Sequence, residues 1–423
     1  MLSVQQAESI ILDLVQPLDG QLDTEVVSLD AAGRILAAPV TSQLDFPHWD
    51  NSAMDGYAVR CADIESCNEQ QPAILEVVEE IPAGIEPQHS LHPGQAARIF
   101  TGGVMPAGAD AVVPQENTRG EQNRVLVSTP TELGAFVRQR ASFYCAGTPL
   151  LMPGIVLSAP EIALLAAAQC TQVSVYRRVK VAILSTGNEL VTPDKTLQPG
   201  QIVDSNQYAL ATFVAENGGL PLPVGIVPDK PESLQEAIAQ AISSADVVLS
   251  TGGVSVGDYD YVDQILTQLG GEIAIRAVAV KPGKPLTVAT FPSDEAKKSC
   301  LYFGIPGNPV SALVSCWRFV QPALKKLSGR SGTWKPKFVK ARTRDELHAA
   351  GKRETYLWGQ LQAVDGNYEF QLNPGSHSSG NLVNLAQTNA LAVVPVGQTV
   401  ISAGEEVDVM QISCPLWVRT NWK

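Results

Sequence analysis

The spacing of apolar and polar residues along the chain switches between the pattern of β-strands and the pattern of helices, and this is clearest between residues 180 and 327. Short β-branched and aliphatic runs, typical of buried parallel strands, alternate there with segments whose apolar residues recur at helical spacing. Strands are predicted at 181–184, 223–227, 247–249, 273–280 and 301–305, and helices at 207–216, 232–242, 262–269 and 309–327. This order predicts a doubly wound α/β sheet, whose ligands bind beyond the carboxyl ends of its strands.

The residues before 180 show two other patterns. Ile10, Ile11 and Leu14 recur at helical spacing, a second short helix is predicted at 31–38, and 150–176 is helical again with Pro160 suited to a helix start. Between them, short apolar segments bounded by Pro or Gly predict a β-rich block. The block is therefore inserted between two halves of one helical domain.

The residues after 328 give short alternating segments, which predict a small β-barrel or sandwich. The chain is thus a multidomain α/β protein. The predicted limits are a helical domain at 1–45 and 141–178, a β-rich inserted domain at 46–140, the α/β domain at 179–328 and the C-terminal β-domain at 329–423.

Composition narrows the possible partners. At 423 residues with 45% hydrophobic residues, the chain is long enough for several cores, and a formal charge of −13 argues against nucleic acid held on a diffuse basic surface. It has no apolar run long enough for a membrane helix, and its start lacks the basic and apolar regions of a secretory signal. We expect a cytoplasmic protein without a membrane partner. The seven scattered cysteines show no zinc spacing.

A glycine-rich loop follows the strand predicted at 247–249. Its glycines allow close backbone approach to a ligand, and its hydroxyls add donors for phosphate-like oxygens, while nearby carboxylates suit a cation such as Mg²⁺. The loop residues are Ser250, Thr251, Gly252, Gly253, Asp258 and Asp260. The earlier strand ends in the same Leu-Ser-Thr-Gly sequence, with Thr186, Gly187 and then Glu189. The alternative is that Ser-Thr-Gly is only a common strand-ending turn.

Two further loops leave predicted strands of the same domain. Lys281 and Lys284 flank a Pro-Gly turn and predict a local positive pocket in an acidic chain, although they could equally be solvated lysines. The other loop contains Pro306, Gly307, Asn308 and Ser311 and precedes a predicted helix. Its backbone amides would either bind an anion or only form the first turn of that helix.

Isolated polar residues outside the α/β domain are less specific. Asp55 and Thr101 are ambiguous, because both suit ordinary turns of the β-rich block unless another domain meets them there. Arg353 with Ser376 offers a guanidinium and a hydroxyl for a tetrahedral oxyanion. No Ser-His-Asp order, Walker loop or dinucleotide fingerprint is present, which argues against a serine hydrolase and a nicotinamide enzyme.

These motifs, taken in order, resemble those of the MoeA-type molybdopterin molybdenumtransferases, a family that includes the gephyrin E-domain. The resemblance covers essentially the whole chain. It is carried by Asn51-Ser-Ala-Met-Asp-Gly-Tyr-Ala-Val59, Thr101-Gly-Gly103, Gly108-Ala-Asp-Ala-Val-Val113, the loop from Ser250 to Asp260, Lys281 to Pro285, and Pro306 to Ser311. The α/β domain alone is also similar to the MogA/MoaB adenylyltransferase-type domain.

The resemblance implies an elongated homodimer with a MogA/MoaB-like α/β domain. It implies insertion of molybdate into adenylylated molybdopterin with release of AMP, a step that depends on Mg²⁺ or possibly Zn²⁺, and a MogA-like adenylyltransferase as a possible partner. Glu189, Asp229 and Asp258 would then hold the cation, while the loops at Thr186 and Thr251 would hold the pterin phosphate and Lys281 would balance anionic charge.

Other roles follow from the resemblance position by position. Lys284, Ser311, Arg353 and Ser376 match the residues that the family uses around molybdate. Asp55 and Thr101 match residues that reach the cleft from the partner subunit.

The chain also departs from the family pattern. Ala141-Ser142-Phe143 stands where Gly-Glu-Asp is common, Asn188 where Asp is usual, and Trp358 where Arg is frequent. Because both carboxylates are absent, an alternative hypothesis is a non-catalytic pterin-binding or scaffold protein of the same fold. A third possibility is an adenylyltransferase that acts on molybdopterin itself.

Overall fold

A six-stranded mixed sheet forms the centre of the molecule in this computed structural model, which describes residues 1–252, 259–292, 299–413 and 416–417. Its strands are β1 (Lys180–Thr186), β2 (Leu220–Val227), β3 (Val247–Thr251), β4 (Glu272–Ala277), β5 (Pro285–Phe291) and β6 (Cys300–Ile305). The spatial order is β2-β1-β3-β6-β5-β4. The first four strands are parallel, and β5 and β4 complete the sheet in antiparallel pairings.

Helices cover both faces of this sheet: α1 (Asn206–Glu216), α2 (Pro231–Ser244), α3 (Tyr259–Gln268) and α4 (Pro309–Ser315). Side chains of α1 and α4 join one buried apolar cluster, and those of α2 and α3 join a second cluster on the other face. The α4 helix continues through a π-helical turn (Cys316–Val320) into Gln321–Leu327. The predicted doubly wound α/β domain is therefore confirmed, although β5 was not predicted.

The strand order reverses at β1. The chain leaves β1, passes through α1 to β2 on one side, and returns through α2 to β3 on the other side. In open α/β sheets a crevice forms at such a reversal, beyond the carboxyl ends of the two strands. Strand β1 ends at Thr186 and strand β3 ends at Thr251. Each of these threonines belongs to a copy of the repeated Ser-Thr-Gly sequence.

The N-terminal helix Val4–Leu14 packs into the α/β core. Ser3 and Gln6 form a capping box at its start, and Val4, Ala7 and Ile11 are buried in the same apolar cluster as β1 and α4. The helix predicted at 31–38 is wrong. Gly33 there has φ 78, and Leu36 is buried in an antiparallel bridge to Val175.

The remaining N-terminal elements form a β-rich sheet and short paired segments. The sheet has six strands in the order Ala111–Pro114, Gly56–Val59, Gln95–Ile99, Ala73–Ile81, Arg124–Val127 and Thr118–Glu121. The other elements are the helix Ala159–Ala167, the 3₁₀ turns Cys61–Asp63 and Gln115–Asn117, and the pairs Thr24–Val27 with Val173–Tyr176, Val40–Thr41 with Pro149–Leu151, and Asn51–Ser52 with Val137–Arg138. The helix and the first two pairs share an apolar cluster separate from those of the sheet. The predicted β-rich insertion is thus present, whereas the exact domain limits remain a prediction.

The C-terminal strands close into a five-stranded barrel. Its strands follow the order Glu354–Val364, Asn367–Leu372, Phe338–Thr343, Glu406–Gln411 and Ala390–Val394, with the last strand pairing with the first. Shorter elements of this region are Leu347–His348 paired with Val400–Ile401, the helix Leu382–Leu385, and Leu416–Trp417. A further short pair, Leu190–Val191 with Ile202–Val203, lies between β1 and α1. Of the two predicted alternatives, the barrel is correct.

A short strand of the α/β domain extends the barrel. Val280–Lys281 pairs in parallel with the start of Glu354–Val364, so Lys281 lies beside Thr355. The backbone N–H of Glu354 also donates to the carbonyl of Ala279 at 3.0 Å. This pairing joins the lysine turn of one domain to Arg353 of the other.

A buried arginine reinforces the same junction. Arg318 is 4% exposed in the π-helical turn; it forms an ion pair with Glu8 of the N-terminal helix and donates through Nε to the Tyr356 hydroxyl of the barrel at 2.9 Å. The Nζ of Lys335 lies 2.9 Å from Oε1 of Glu8. The Tyr356 hydroxyl donates to Glu354 at 2.6 Å. One side chain therefore links three parts of the chain.

Within the described residues, no helix is both long and apolar enough to span a membrane.

Glu8→Gln tests the strength of this junction. The change leaves the buried Arg318 charge uncompensated, so we expect the free energy of unfolding at neutral pH to fall by about 3 kcal/mol, as measured by chemical denaturation. Glu25→Gln is the matched control, because the ion pair of Glu25 with Arg34 is more exposed, with Glu25 47% exposed. This change should lower the free energy of unfolding by less than about 1 kcal/mol.

The same variant has a signature in acid. Burial by itself raises the pKa of Glu8, but the charges and hydrogen bonds of Arg318 and Lys335 hold that pKa below its ordinary value of 4.5. A depressed pKa stabilises the folded state above the unfolded value, and that stabilisation is lost as pH falls through the folded value. The stability of Glu8→Gln should therefore decline less steeply below about pH 4.5. Parallel acid curves for wild type and variant would contradict the ion pair's role.

Candidate functional site

Three loops meet at the carboxyl edge of the central sheet because their glycines carry no side chain. Gly252 has φ 86, and a Cβ added there would lie 2.3 Å from the carbonyl oxygen of Thr186. A Cβ on Gly307 would lie 3.5 Å from the Cα of Gly252. The loops after β1, β3 and β6 are thus in close backbone contact, which the sequence analysis did not predict.

The threonine hydroxyls at the strand ends are buried and partly used to hold this edge together. Thr186 Oγ1 donates to the carbonyl of Thr251 at 3.3 Å, and Thr251 Oγ1 lies 3.3 Å from Ser185 Oγ. Ser250 is 2% exposed and contacts the Tyr302 hydroxyl, whose pKa burial raises to about 12. Ser250 therefore sits in the sheet interior and does not line the cavities described below.

The first cavity, the edge cavity, has a volume of about 500 Å³. It contains two of the predicted cation ligands, Glu189 and Asp229, and it is lined by Thr186, Gly187, Glu189, Asp229, Lys230, Pro231, Leu234, Gly252, Tyr261 and Val262. The carboxylate of Glu189 lies over Gly187, where an added Cβ would be 2.6 Å from Oε1. A larger residue at 187 would push Glu189 out of this position.

Asn188 fixes the loop that carries Asp229. The backbone N–H of Asn188 donates to Asp229 Oδ2 at 3.3 Å, and the backbone N–H of Asp229 donates to Asn188 Oδ1 at 3.2 Å. An aspartate at 188 could accept the second bond equally well. The departure from the family's usual Asp is therefore compatible with the same loop geometry.

The second cavity, the central cavity, adjoins the first and has a volume of about 510 Å³. The two share Thr186, Glu189 and Gly252, and the central cavity also reaches Thr251, Gly307 and Asn308. Its other walls are Leu190, Ile202, Val203, Asp204, Ser205, Asn206, Pro309, Gly380 and Leu382. The side chain of Asn206 donates to the carbonyl of Gly307 at 2.7 Å, which anchors one wall.

The third cavity, the cationic cavity, lies where the α/β domain meets the barrel and has a volume of about 540 Å³. It brings together Lys281, Lys284 and Arg353, and it shares Asn308 with the central cavity. Pro306 and the buried Ser311 also line it. Arg353 is held in part by a hydrogen bond from Nη1 to the carbonyl of Val280 at 3.2 Å. Three cations around one concave space form a site suited to an oxyanion.

The C-terminal loop near Ser376 closes one side of the cationic cavity. His377, Ser378 and Ser379 line the cavity, whereas Ser376 is their exposed neighbour and its carbonyl accepts a hydrogen bond from Asn381 at 2.9 Å. The side chain of Asn308 donates to Ser379 Oγ at 3.1 Å. This contact ties the loop after β6 to the barrel.

Trp358 and His377 form a wall of the cationic cavity that sequence reasoning did not assign. Their rings lie 4.4 Å apart, Trp358 donates to Asn384 Oδ1, and Nε2 of His377 lies 3.0 Å from the carbonyl oxygen of Asn373. Burial lowers the pKa of His377. Trp358 is fully buried, so replacement of an arginine there removes a cation from the cavity and substitutes ring packing. Sequence alone gave no spacing signal for this pair.

Some predicted residues fall beyond what the structure describes. Gly253 and Asp258 lie outside the described residues, and only the backbone of Asp260 is described, at the start of α3. Within the described ranges, no group of three or more His, Cys, Asp or Glu side chains is arranged to hold a metal ion. Glu189 and Asp229 are the two predicted ligands that share a cavity.

Asp55 and Thr101 are brought together in the β-rich sheet, away from these cavities. The backbone N–H and the hydroxyl of Thr101 both donate to Asp55 Oδ1 at 2.8 Å, and these bonds hold the pKa of Asp55 below its usual value. Neither residue lines the edge, central or cationic cavity of its own chain.

The segment that lacks the family's two carboxylates lies on the surface of the same region. Phe143 is 73% exposed, and Ala141 has φ 61, the left-handed conformation that a glycine adopts without strain. Arg140 forms an ion pair with Asp45 through Nε at 2.6 Å. The segment therefore has a backbone conformation that a glycine at 141 would also adopt, and it carries no acidic side chain at 142 or 143.

Comparisons with known proteins match all three regions of the chain. The models matched are the MoeA N-terminal region (domain I and II) at residues 2–168, the probable molybdopterin binding domain at 182–326, and the MoeA C-terminal region (domain IV) at 340–412. A molybdopterin molybdenumtransferase of Nostoc sp. is 62% identical over 413 residues, which cover 97% of this chain and 94% of the relative. That of Haemophilus influenzae is 34% identical, with coverage of 97% and 98%.

Solved structures agree along the whole length. The molybdopterin biosynthesis MoeA protein from Pyrococcus horikosii superimposes with a TM-score of 0.80 at 30% identity and covers 98% of this chain and 100% of its own. The identity and coverage of these relatives confirm the resemblance drawn from the motifs. The chain belongs to the MoeA-type molybdopterin molybdenumtransferase family.

Proposed function

We propose that this protein inserts molybdenum into adenylylated molybdopterin and releases AMP. In this reaction water cleaves the phosphoanhydride of the adenylylated pterin, which releases AMP, and molybdenum from molybdate binds the two dithiolene sulfurs as one oxide ligand leaves with the two thiol protons as water. The observation that carries the proposal is the row of three adjoining cavities, acidic at the sheet edge and cationic at the barrel. Such a row fits a long anionic substrate together with a separate oxyanion.

The cationic cavity is the proposed molybdate site. Molybdate is a tetrahedral dianion, so it requires convergent positive charge and donors, which Lys281, Lys284 and Arg353 supply in a chain of net charge −13. Ser311 adds a hydroxyl to the same lining, and Ser376 lies beside it. Because Arg353 comes from the barrel and the lysines from the α/β domain, the site depends on the junction between them.

The edge cavity is the proposed cation site. Glu189 and Asp229 line it, and their carboxylates are the oxygen ligands that Mg²⁺ prefers; Zn²⁺ is the second candidate. Asp258, from the loop after β3, would complete the ligand set. A bound divalent cation polarises phosphate oxygens and neutralises charge on the leaving AMP. The chain's own residues would hold the phosphates at the edge through Thr186, Thr251 and the loop amides at Gly252, Gly253 and Gly307.

A homodimer would account for Asp55 and Thr101. These residues match the family's cleft residues from the partner subunit, and their separation from the three cavities of their own chain is consistent with that arrangement. An adenylyltransferase that supplies the adenylylated substrate is the proposed protein partner. A cytoplasmic location likewise remains a prediction.

One observation favours a second function. Ser142 and Phe143 replace two carboxylates that are common in the family, and an exposed aromatic at 143 suits a protein contact better than catalysis. A non-catalytic pterin-binding or scaffold protein of the same fold is therefore the alternative.

An AMP-release assay tests the proposed activity. Purified protein given adenylylated molybdopterin, molybdate and Mg²⁺ should release one AMP per pterin and yield a cofactor that activates an apo-molybdoenzyme, and chelation of the cation should stop both. Tight pterin binding without AMP release would instead establish the scaffold alternative. Consumption of ATP with unmodified molybdopterin would indicate an adenylyltransferase.

Subunit complementation tests the dimeric site. Asp55→Asn and Lys284→Met should each abolish turnover as homodimers, because each removes one side of both composite sites. A doubly tagged heterodimer of the two variants contains one intact site, so it should recover about half of the wild-type activity. A heterodimer that carries both changes in one chain and none in the other is the control and should show the same recovery only if the two residues act within one chain.

A further inference from the structure

Asp204 is a buried carboxylate in the central cavity that the proposed mechanism does not use. The residue is 3% exposed, lines the cavity, and its Oδ2 accepts no hydrogen bond from the part of the chain that the structure describes. A buried carboxylate oxygen without a donor is costly, so natural proteins normally satisfy it. An incoming ligand with an N–H group would satisfy it here.

The other oxygen of Asp204 has a structural role. Oδ1 accepts a hydrogen bond from the backbone N–H of Gln207 at 3.1 Å, in the first turn of α1. This contact resembles helix capping and fixes the orientation of the carboxylate. Oδ2 stays buried without a donor among the described residues, and the roles of the two oxygens can be separated by substitution.

The surroundings of Asp204 fit a flat heterocycle. Leu190, Ile202, Val203 and Leu382 provide apolar walls, and the side chain of Asn206 is already engaged with the carbonyl of Gly307. Among the residues that the structure describes, no lysine or arginine lines this cavity, whereas both types line the cationic cavity next to it. A neutral ring with N–H donors therefore suits the central cavity better than a phosphate or an oxyanion does.

We propose that the Asp204 carboxylate binds the amino and ring N–H edge of the pterin and makes the central cavity the pterin-specificity site. The inference rests on the proposed function, because that function supplies the pterin. A pterin presents two adjacent donors, the 2-amino group and the neighbouring ring N–H, which match the acceptor oxygens of a carboxylate. Adenine presents one amino donor beside a ring nitrogen acceptor, which would repel the carboxylate.

Asp204→Asn separates binding from folding. Asparagine keeps an oxygen that can cap α1, so the fold should be retained, but the amide nitrogen replaces the free acceptor with a donor. Asp194→Asn is the matched control, because Asp194 lies in the same domain and its side chain is 73% exposed. Circular dichroism and thermal unfolding of both variants check the fold.

Fluorescence titration with neopterin phosphate gives the decisive measurement. Asp204→Asn should weaken its binding about 10- to 100-fold relative to wild type and to Asp194→Asn, because a hydrogen bond to a charged group is lost. The matching lumazine phosphate, with a carbonyl in place of the 2-amino group, keeps only the ring N–H donor, so it should bind wild type more weakly and lose less affinity in the variant than neopterin phosphate does. AMP affinity should stay unchanged.

The remaining outcomes overturn the inference in distinguishable ways. Equal binding of neopterin phosphate by wild type and Asp204→Asn would refute the role of Asp204 and leave the proposed function intact. Loss of AMP affinity in place of pterin affinity would make the cavity an adenine site. A wild-type protein that binds no neopterin phosphate would count against both the inference and the proposed function.

Discussion

The junction between the α/β domain and the barrel is the constraint on which the candidate site depends. Parallel pairing of Val280–Lys281 with the first barrel strand places the lysine turn beside Arg353. Arg318 also holds the α/β domain and the barrel together, because it contacts Glu8 and the Tyr356 hydroxyl at the same time. A buried ion pair of this kind contributes little to the net free energy of unfolding. Few other arrangements of the domains, however, would leave both of its charges paired. Relative movement of the two domains would separate the cations of the cationic cavity.

The opposite end of the site depends on small residues instead of charge. At the reversal of strand order, Gly252 and Gly307 allow three loops to approach within backbone contact, and Gly187 leaves room for the Glu189 carboxylate. The edge and central cavities therefore share a wall made of the Gly252 backbone, Thr186 and the Glu189 carboxylate, which would need a bound cation to accept a phosphate beside it. Such a wall suits phosphate and a flat ring, whereas the adjoining cationic cavity suits an oxyanion.

Sequence patterns predicted the parts of the fold that local periodicity determines. The parallel strands and covering helices between 180 and 327 were predicted closely because buried strands and amphipathic helices differ in period. β5 was missed because it is an antiparallel return strand directly after the Lys284 turn, and the false helix at 31–38 failed because Gly33 and tertiary pairing of Leu36 override local propensity. The repeated Ser-Thr-Gly sequences were visible in the sequence, and the structure brings Thr186 and Gly252 of the two loops to the same cavities, while their role in binding stays a prediction. Asp204, Trp358 and His377 carried no local motif, since their positions depend on contacts between elements distant in sequence.

The central claim is that one composite site, built from the α/β domain and the barrel, receives molybdate at the cationic cavity. Anomalous X-ray diffraction from crystals soaked in molybdate, recorded at the molybdenum absorption edge, tests it most directly. The account predicts a molybdenum peak in contact with Lys281, Lys284 and Arg353, and loss of that peak in Arg353→Met crystals. A peak at a separate basic cavity in the described part of the chain, lined by residues that include Arg178 and Arg330, with none at the junction, would contradict this assignment.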